Sequence, residues 1–296
     1  MKKLLMKITG DDRIPHFTQY IGALIEDKLW LTLGVRWDNQ NHYGNTLNPR
    51  CGLVYKPYES NVIKVLYNEA YREGNVFELT GKPELDPAKM RGGEISFHQG
   101  FGEHVQTEFV YYNNTVSNFL GSVGSIIGEN VTSVESQNVQ GIENLTRFSA
   151  NRFSGFFNAA YILSAKQKAT DKTTGEKVNV DLLGLPYHRF SLGLSYEISQ
   201  HFGVSILNHY IGSMDAIGGS SGKKITFDSY NDMSLTFQFK SYTLTNDSNL
   251  TFYISVKNLL DQEYYHPNIR RSGTEKFLQN GRYLIARVAI NLKSSK

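Results

Sequence analysis

The chain has 296 residues, 40% of them hydrophobic and 12% aromatic, with 18 Tyr, 17 Phe, 26 Gly and a formal charge of +3. No stretch approaches the roughly 20 apolar residues of a transmembrane helix, so a membrane-spanning chain of this composition must cross as strands with every backbone group paired. The small net charge, without a basic run, excludes nucleic acid as a partner, and the lone Cys51 excludes an intrachain disulfide.

The amino end, Met1 to Lys7, starts like a signal peptide, but Leu4-Leu5-Met6 is followed at once by Lys7 and then by Asp11-Asp12. Residues 1–14 therefore read as a leader without a secretory signal. Thirteen strands are expected near 15–25, 29–38, 47–56, 62–71, 92–100, 104–113, 134–148, 153–164, 186–197, 202–212, 226–240, 249–260 and 280–292.

Many alternate apolar with polar residues, as in Phe190, Leu192, Leu194, Tyr196 against Arg189, Ser191, Gly193, Ser195, or in Leu250, Phe252, Ile254, Val256. Strand geometry turns that alternation into one apolar and one wettable face. In an outer-membrane β-barrel these are lipid outside and water inside. A soluble sandwich shares the period, and the connections separate the two.

Short turns are expected near 26–28, 57–61, 101–103, 149–152, 198–201 and 241–249, and long polar loops near 72–91, 114–133, 165–185, 213–225 and 261–279, with a shorter one at 39–46. Bacterial barrels keep short turns periplasmic and long loops outside, with even strand counts. The last strand then descends to the periplasm, and counting back, so does the first. An odd count with an external amino end is the mark of a cut barrel. Closing it on itself would join two strands of the same direction, which disfavours a self-contained passive pore.

Four segments carry a family likeness. Leu33-Gly34-Val35-Arg36-Trp37-Asp38 with Leu47 to Pro57, then Ala70-Tyr71-Arg72-Glu73 with Phe77-Glu78-Leu79 and Gly81-Lys82-Pro83-Glu84-Leu85-Asp86-Pro87, and Gln140-Gly141-Ile142-Glu143 follow one another. Val256-Lys257-Asn258-Leu259-Leu260-Asp261-Gln262-Glu263-Tyr264-Tyr265 and Gly281-Arg282 come last. Together they resemble the barrel of TonB-dependent outer-membrane receptors: the mid-barrel strands, the Phe-Arg-Ala-Pro and Asn-Pro-x-Leu-x-Pro-Glu region, a Gly-(Ile/Leu)-Glu strand opening and the Asn-Leu-(Leu/Phe)-Asp strand end.

The resemblance implies an all-β, antiparallel transmembrane barrel of twenty-two strands, of which residues 15–296 supply about thirteen as the carboxy-terminal part. It implies a bacterial outer-membrane location and import of a ferric siderophore, energised by the TonB complex through an amino-terminal plug and box that this sequence lacks. The chain ends Leu292-Lys293-Ser294-Ser295-Lys296 rather than on the family's usual aromatic residue. Haem receptors of the family carry a His between the two loop motifs, and Tyr71 to Asp86 contains none. A cobalamin receptor stays open as the alternative. No cofactor is expected.

Candidate ligand contacts are Tyr71, Arg72, His42, His266, Arg270 and Arg271, all at loops or outer strand ends. Arg and Tyr suit an anionic, aromatic chelate through charge and stacking. Asn258 and Asp261 read as turn formers, and Tyr111-Tyr112 and Tyr264-Tyr265 as strand-tip members of an aromatic belt. A small barrel enzyme needs a convergent set such as Ser205, His209 and Asp215, and nothing beyond their proximity in sequence supports one.

Overall fold

The computed structural model describes residues 13–40, 44–73, 86–118, 131–171, 173–218, 223–245, 248–268 and 274–292. The strands are β1 (Arg13–Ile25), β2 (Leu29–Gln40), β3 (Gly44–Tyr58), β4 (Asn61–Arg72), β5 (Ala88–Phe101), β6 (Val105–Ser117), β7 (Val131–Ala150), β8 (Phe153–Asp171) and β9 (Lys177–Asp181). They continue as β10 (His188–Glu197), β11 (Phe202–Ile211), β12 (Met214–Gly218), β13 (Lys223–Phe227), β14 (Tyr230–Thr245), β15 (Ser248–Lys257), β16 (Tyr265–Pro267), β17 (Lys276–Leu278) and β18 (Tyr283–Leu292).

Among the described residues thirteen strands lie side by side in one antiparallel sheet, in the order β1-β2-β3-β4-β5-β6-β7-β8-β10-β11-β14-β15-β18. All thirteen expected strands are present, and the sheet is open: β1 and β18 are its two edges and run in the same direction. β1 starts at Arg13, two residues before the expected boundary.

Neighbours directly opposite one another share a face, so the register sorts the side chains. One face runs Leu33 and Cys51, Val65 and Ile95, Phe97 and Phe109, Phe157 and Leu192, Ile206 and Leu235, Phe237 and Ile254, then Phe252 and Val288. The other holds Arg36 and Asn48, Lys64 and Ser96, Ser195 and Ser205, then Tyr253 and Arg287. The apolar face is the lipid side and the polar one the lumen, because hydrocarbon cannot solvate the second set. Aromatic clusters mark both margins of the lipid face. Tyr161, Phe190, His188 and Tyr210 meet at 5.4 to 6.2 Å near the long loops, and Phe202 lies 5.0 Å from Phe239 near the short turns.

The short turns need left-handed backbone, and residues that tolerate it are there: Asp27 (φ 57°), Gly102 (φ 58°) and Asn151 (φ 52°). At the other end the expected loops contain further strands. β8 continues to Asp171 and β9 pairs with it, while β12–β13 and β16–β17 form separate hairpins. β7 and β8, at 20 and 19 residues, exceed the 9–11 that a membrane strand needs and project beyond the bilayer. Tyr111-Tyr112 lie inside β6, which runs on to Ser117, and not at its tip as expected.

A one-layer sheet has no interior, and the buried apolar side chains show where packing occurs instead. Among the described residues Ala88, Ala165, Ala169, Leu182, Ala216, Ile217 and Phe227 are buried, all of them at the long-loop end. There β16 packs against β12 and β13, so these outer connections form a folded layer rather than independent loops.

Candidate functional site

Two of the expected residues line a fork between β3 and β4. These strands pair from Tyr58 opposite Asn61 to Arg50 opposite Asn68 and then part, although β3 stays paired with β2 to Gly44 and β4 with β5 to Arg72. Pro49 stands where the ladder ends; it has no N–H to donate, and a proline is tolerated where pairing stops. The opening encloses about 440 Å³ lined by Arg36, Asn48, Glu69, Tyr71, Arg72 and Glu73.

Arg36 donates to both oxygens of the buried Asp38 carboxylate at 2.8 and 3.0 Å, a bidentate pair that fixes the guanidinium at one lip of the fork. Asn48 Nδ2 is buried there without a hydrogen-bond partner, and Arg91 reaches Glu69 at 3.5 Å.

His266 lies in a second cluster. Tyr230, at the outer end of β14, stacks on Tyr264 with ring centroids 4.1 Å apart, and its hydroxyl is 3.1 Å from His266 Nε2. Burial raises the Tyr264 phenol above its usual range, with the nearby Asp232 charge adding to the effect, so it stays neutral and keeps its proton for donation.

Asn258 builds the connection that holds this cluster. It adopts φ 45°, donates through Nδ2 to the carbonyls of Gln262 at 2.9 Å and Asn280 at 3.1 Å, and accepts the Gln262 N–H at 3.0 Å. Asp261 accepts the Arg282 N–H at 2.7 Å. Both are turn residues, as their place after an apolar run predicts.

A third opening, of about 300 Å³, lies between the segment after β9 and the β12–β13 hairpin. The Gly184 N–H donates to the Asp215 carbonyl at 2.7 Å. The Asp215 side chain accepts from Thr226 Oγ1 at 2.6 Å and from Lys224 at 3.2 Å, which hold its carboxyl below the usual range, the Thr226 bond foremost.

The structure thus brings Tyr71 and Arg72 together with Arg36, and His266 together with Tyr230 and Tyr264, but β5, β6, β7, β8, β10 and β11 lie between the two clusters in the sheet. His42, Arg270 and Arg271 lie outside the described residues. Tyr230 and the stacking role of Tyr264 were not legible as site features, because they depend on partners distant in the chain; Arg36, whose ion pair with Asp38 is local, becomes a site feature only through the distant β4 residues that complete the fork.

The Ser205, His209, Asp215 set is not assembled: His209 Nδ1 meets Ser191 Oγ at 2.8 Å, Ser205 meets Ser195 at 2.9 Å, and Asp215 belongs to the outer hairpin. Among the described residues no group of three or more His, Cys, Asp or Glu is placed to hold a metal ion. The phenol and guanidinium groups at the fork, and the phenol and imidazole rings of the second cluster, suit recognition of planar, oxygen-rich molecules through charge and stacking.

The vitamin B12 transporter BtuB of Vibrio cholerae is 24% identical over 246 residues, which are 80% of this chain and 37% of that protein. Among solved structures, the siderophore receptor PirA from Acinetobacter baumannii superposes with a TM-score of 0.70 at 15% identity, covering 96% of this chain and 47% of that one. A variant of the ferric enterobactin receptor PfeA from Pseudomonas aeruginosa gives 0.71 at 16% identity, covering 95% and 44%. The chain spans less than half the length of each of these relatives. A family model described as TonB dependent receptor-like, β-barrel, matches residues 17–259. With that match running through most of the sheet, the chain belongs to the TonB-dependent receptor β-barrel family of the Gram-negative outer membrane.

Proposed function

We propose that this chain is the carboxy-terminal part of the barrel of a receptor that imports a ferric siderophore, with Tyr71, Arg72 and His266 among its external contacts. The observation that carries the reading is the outer face itself. A fork with Arg36, Tyr71 and Arg72 and a cluster of Tyr230, Tyr264 and His266 both stand at the long-loop end, where a bulky anionic chelate arrives first. His42, Arg270 and Arg271 belong to the same proposal through their place in outer connections. Among the described residues no strand pairs with the outer side of β1 or of β18, which agrees with it, since an open sheet edge in lipid leaves backbone groups unpaired and calls for further strands to cover it. Coupling to TonB would run through parts of the receptor outside this chain.

The test is growth of an iron-starved strain whose complete receptor contains this chain, with a ferric catecholate or hydroxamate siderophore as sole iron source. Arg72→Gln and His266→Ala should each weaken uptake without lowering receptor abundance. Growth on neither class sinks the siderophore reading. A second reading, cobalamin import, is favoured by the 24% identity to the vitamin B12 transporter. Cobalamin-dependent growth that requires the receptor would establish it in place of the first.

A further inference from the structure

A row of hydroxyls crosses the luminal face near the short turns. Register aligns Ser149 with Ser154, Ser154 with Ser195, Ser195 with Ser205, Ser205 with Thr236 and Thr236 with Ser255, on six adjacent strands. One luminal row nearer the long loops, Arg147 is opposite Phe156, and Phe156 is opposite Gly193. A Cβ on Gly193 would lie 2.3 Å from the Phe156 ring, so the missing side chain is what lets that ring lie across the wall.

Small residues beside one large ring leave a recess of about 560 Å³, lined from the luminal rows by Gln106, Arg147, Ser154, Ser195, Ser205 and Leu207. Elsewhere on the luminal face Arg36 is paired with Asp38 and Lys64 with Glu108. Arg147 has no carboxylate partner among the described residues. The carboxylate that lines the recess is Glu103, in the turn between β5 and β6.

We infer that this recess is an oxyanion site on the luminal wall: Arg147 supplies the charge, and Ser154, Ser195 and Ser205 supply hydroxyl donors to a carboxylate or phosphate. Hydroxyls rotate to suit a partner. The 2.9 Å bond between Ser195 and Ser205 engages one of their two protons and leaves the other to donate outward. A guanidinium accepts an oxyanion through parallel N–H bonds. A carboxylate on a polypeptide segment inserted into the lumen and a free anion share this chemistry, and the experiment separates them.

The full chain in detergent micelles is titrated calorimetrically with inorganic phosphate and, separately, with the capped peptide Gly-Asp-Gly-Glu-Gly. Saturable binding of either supports the site, phosphate pointing to a free anion and the peptide alone to an inserted segment. Arg147→Gln should weaken that binding about ten- to a hundredfold, the range for a lost charge-assisted hydrogen bond, with Arg147→Lys intermediate. Arg189→Gln, which removes a luminal arginine outside the recess, should leave it unchanged. The Ser195→Ala, Ser205→Ala double variant preserves size and should weaken it several-fold, which keeps the test open if Arg147→Gln misfolds. No saturable binding of either probe, or equal weakening by Arg189→Gln, overturns the assignment.

Discussion

Replacing Asn258 tests how the outer layer is held. Asn258 is 2% exposed and its side chain makes three hydrogen bonds, two donated to the carbonyls of Gln262 and Asn280 and one accepted from the Gln262 N–H. Asn258→Ala removes all three and strands two carbonyls and an amide in a buried place, at about 1 kcal/mol each. It also leaves an alanine at φ 45°, where a side chain without local hydrogen bonding costs about 1 kcal/mol more. The local cost is about 3 to 4 kcal/mol, a factor of a hundred or more in an opening equilibrium.

The assay is hydrogen exchange at the Gln262 amide in micelles, which should lose protection by that factor while amides in the middle of β10 keep theirs. Asn258→Gly separates the two causes. It relieves the backbone term but not the hydrogen bonds, so it should recover only about fivefold to tenfold. If Asn258→Ala changes Gln262 protection by less than threefold, the side chain is not what closes this connection and the reasoning fails.

Gly193→Ala places a methyl 2.3 Å from the Phe156 ring. It should lower unfolding stability by about 1 to 3 kcal/mol, read as a reduced denaturant midpoint, with Phe156→Leu recovering most of the loss; an unchanged midpoint means the ring swings away freely. Leu192→Arg, on the lipid face, should cost about 2 to 4 kcal/mol, whereas Asn158→Arg, luminal on the next strand, should cost under 1 kcal/mol. Equal costs would contradict the assignment of faces. The Asp261 carboxyl is held below its usual range, first by the Arg282 N–H at 2.7 Å and then by the guanidinium charge. Its folded value lies below its unfolded one, so the contact is fully present above the ordinary carboxylate range near pH 4 and is lost as pH falls through the lowered value. Arg282 amide protection, corrected for intrinsic exchange, should stay flat from about pH 7 to 5 and fall below about pH 4, and Asp261→Asn should abolish that step.

Sequence by itself determined the sheet. Alternation is a local property, so Phe190, Leu192, Leu194 and Tyr196 identify a lipid-facing strand without knowledge of their neighbours, and Asp27, Gly102 and Asn151 identify the turns that only their backbone freedom permits. Asn258 and Asp261 are legible as turn formers for the same reason. Tertiary structure alone decided what those strands place together. The β3–β4 fork appears because one ladder stops at Arg50 while its neighbours continue, and no local pattern announces that. Tyr230 meets His266 across 36 residues, and six hydroxyls align only once the register of six strands is known. Burial in the outer layer was equally hidden: Ala216 and Ile217 sit in a segment expected to be a polar loop, Phe227 at the start of an expected membrane strand, and the three become part of a core because separate hairpins close over one another. Backbone pairing follows from residues near in sequence, whereas a recognition surface is a sum over residues far apart in it, and those separations are set when the sheet forms.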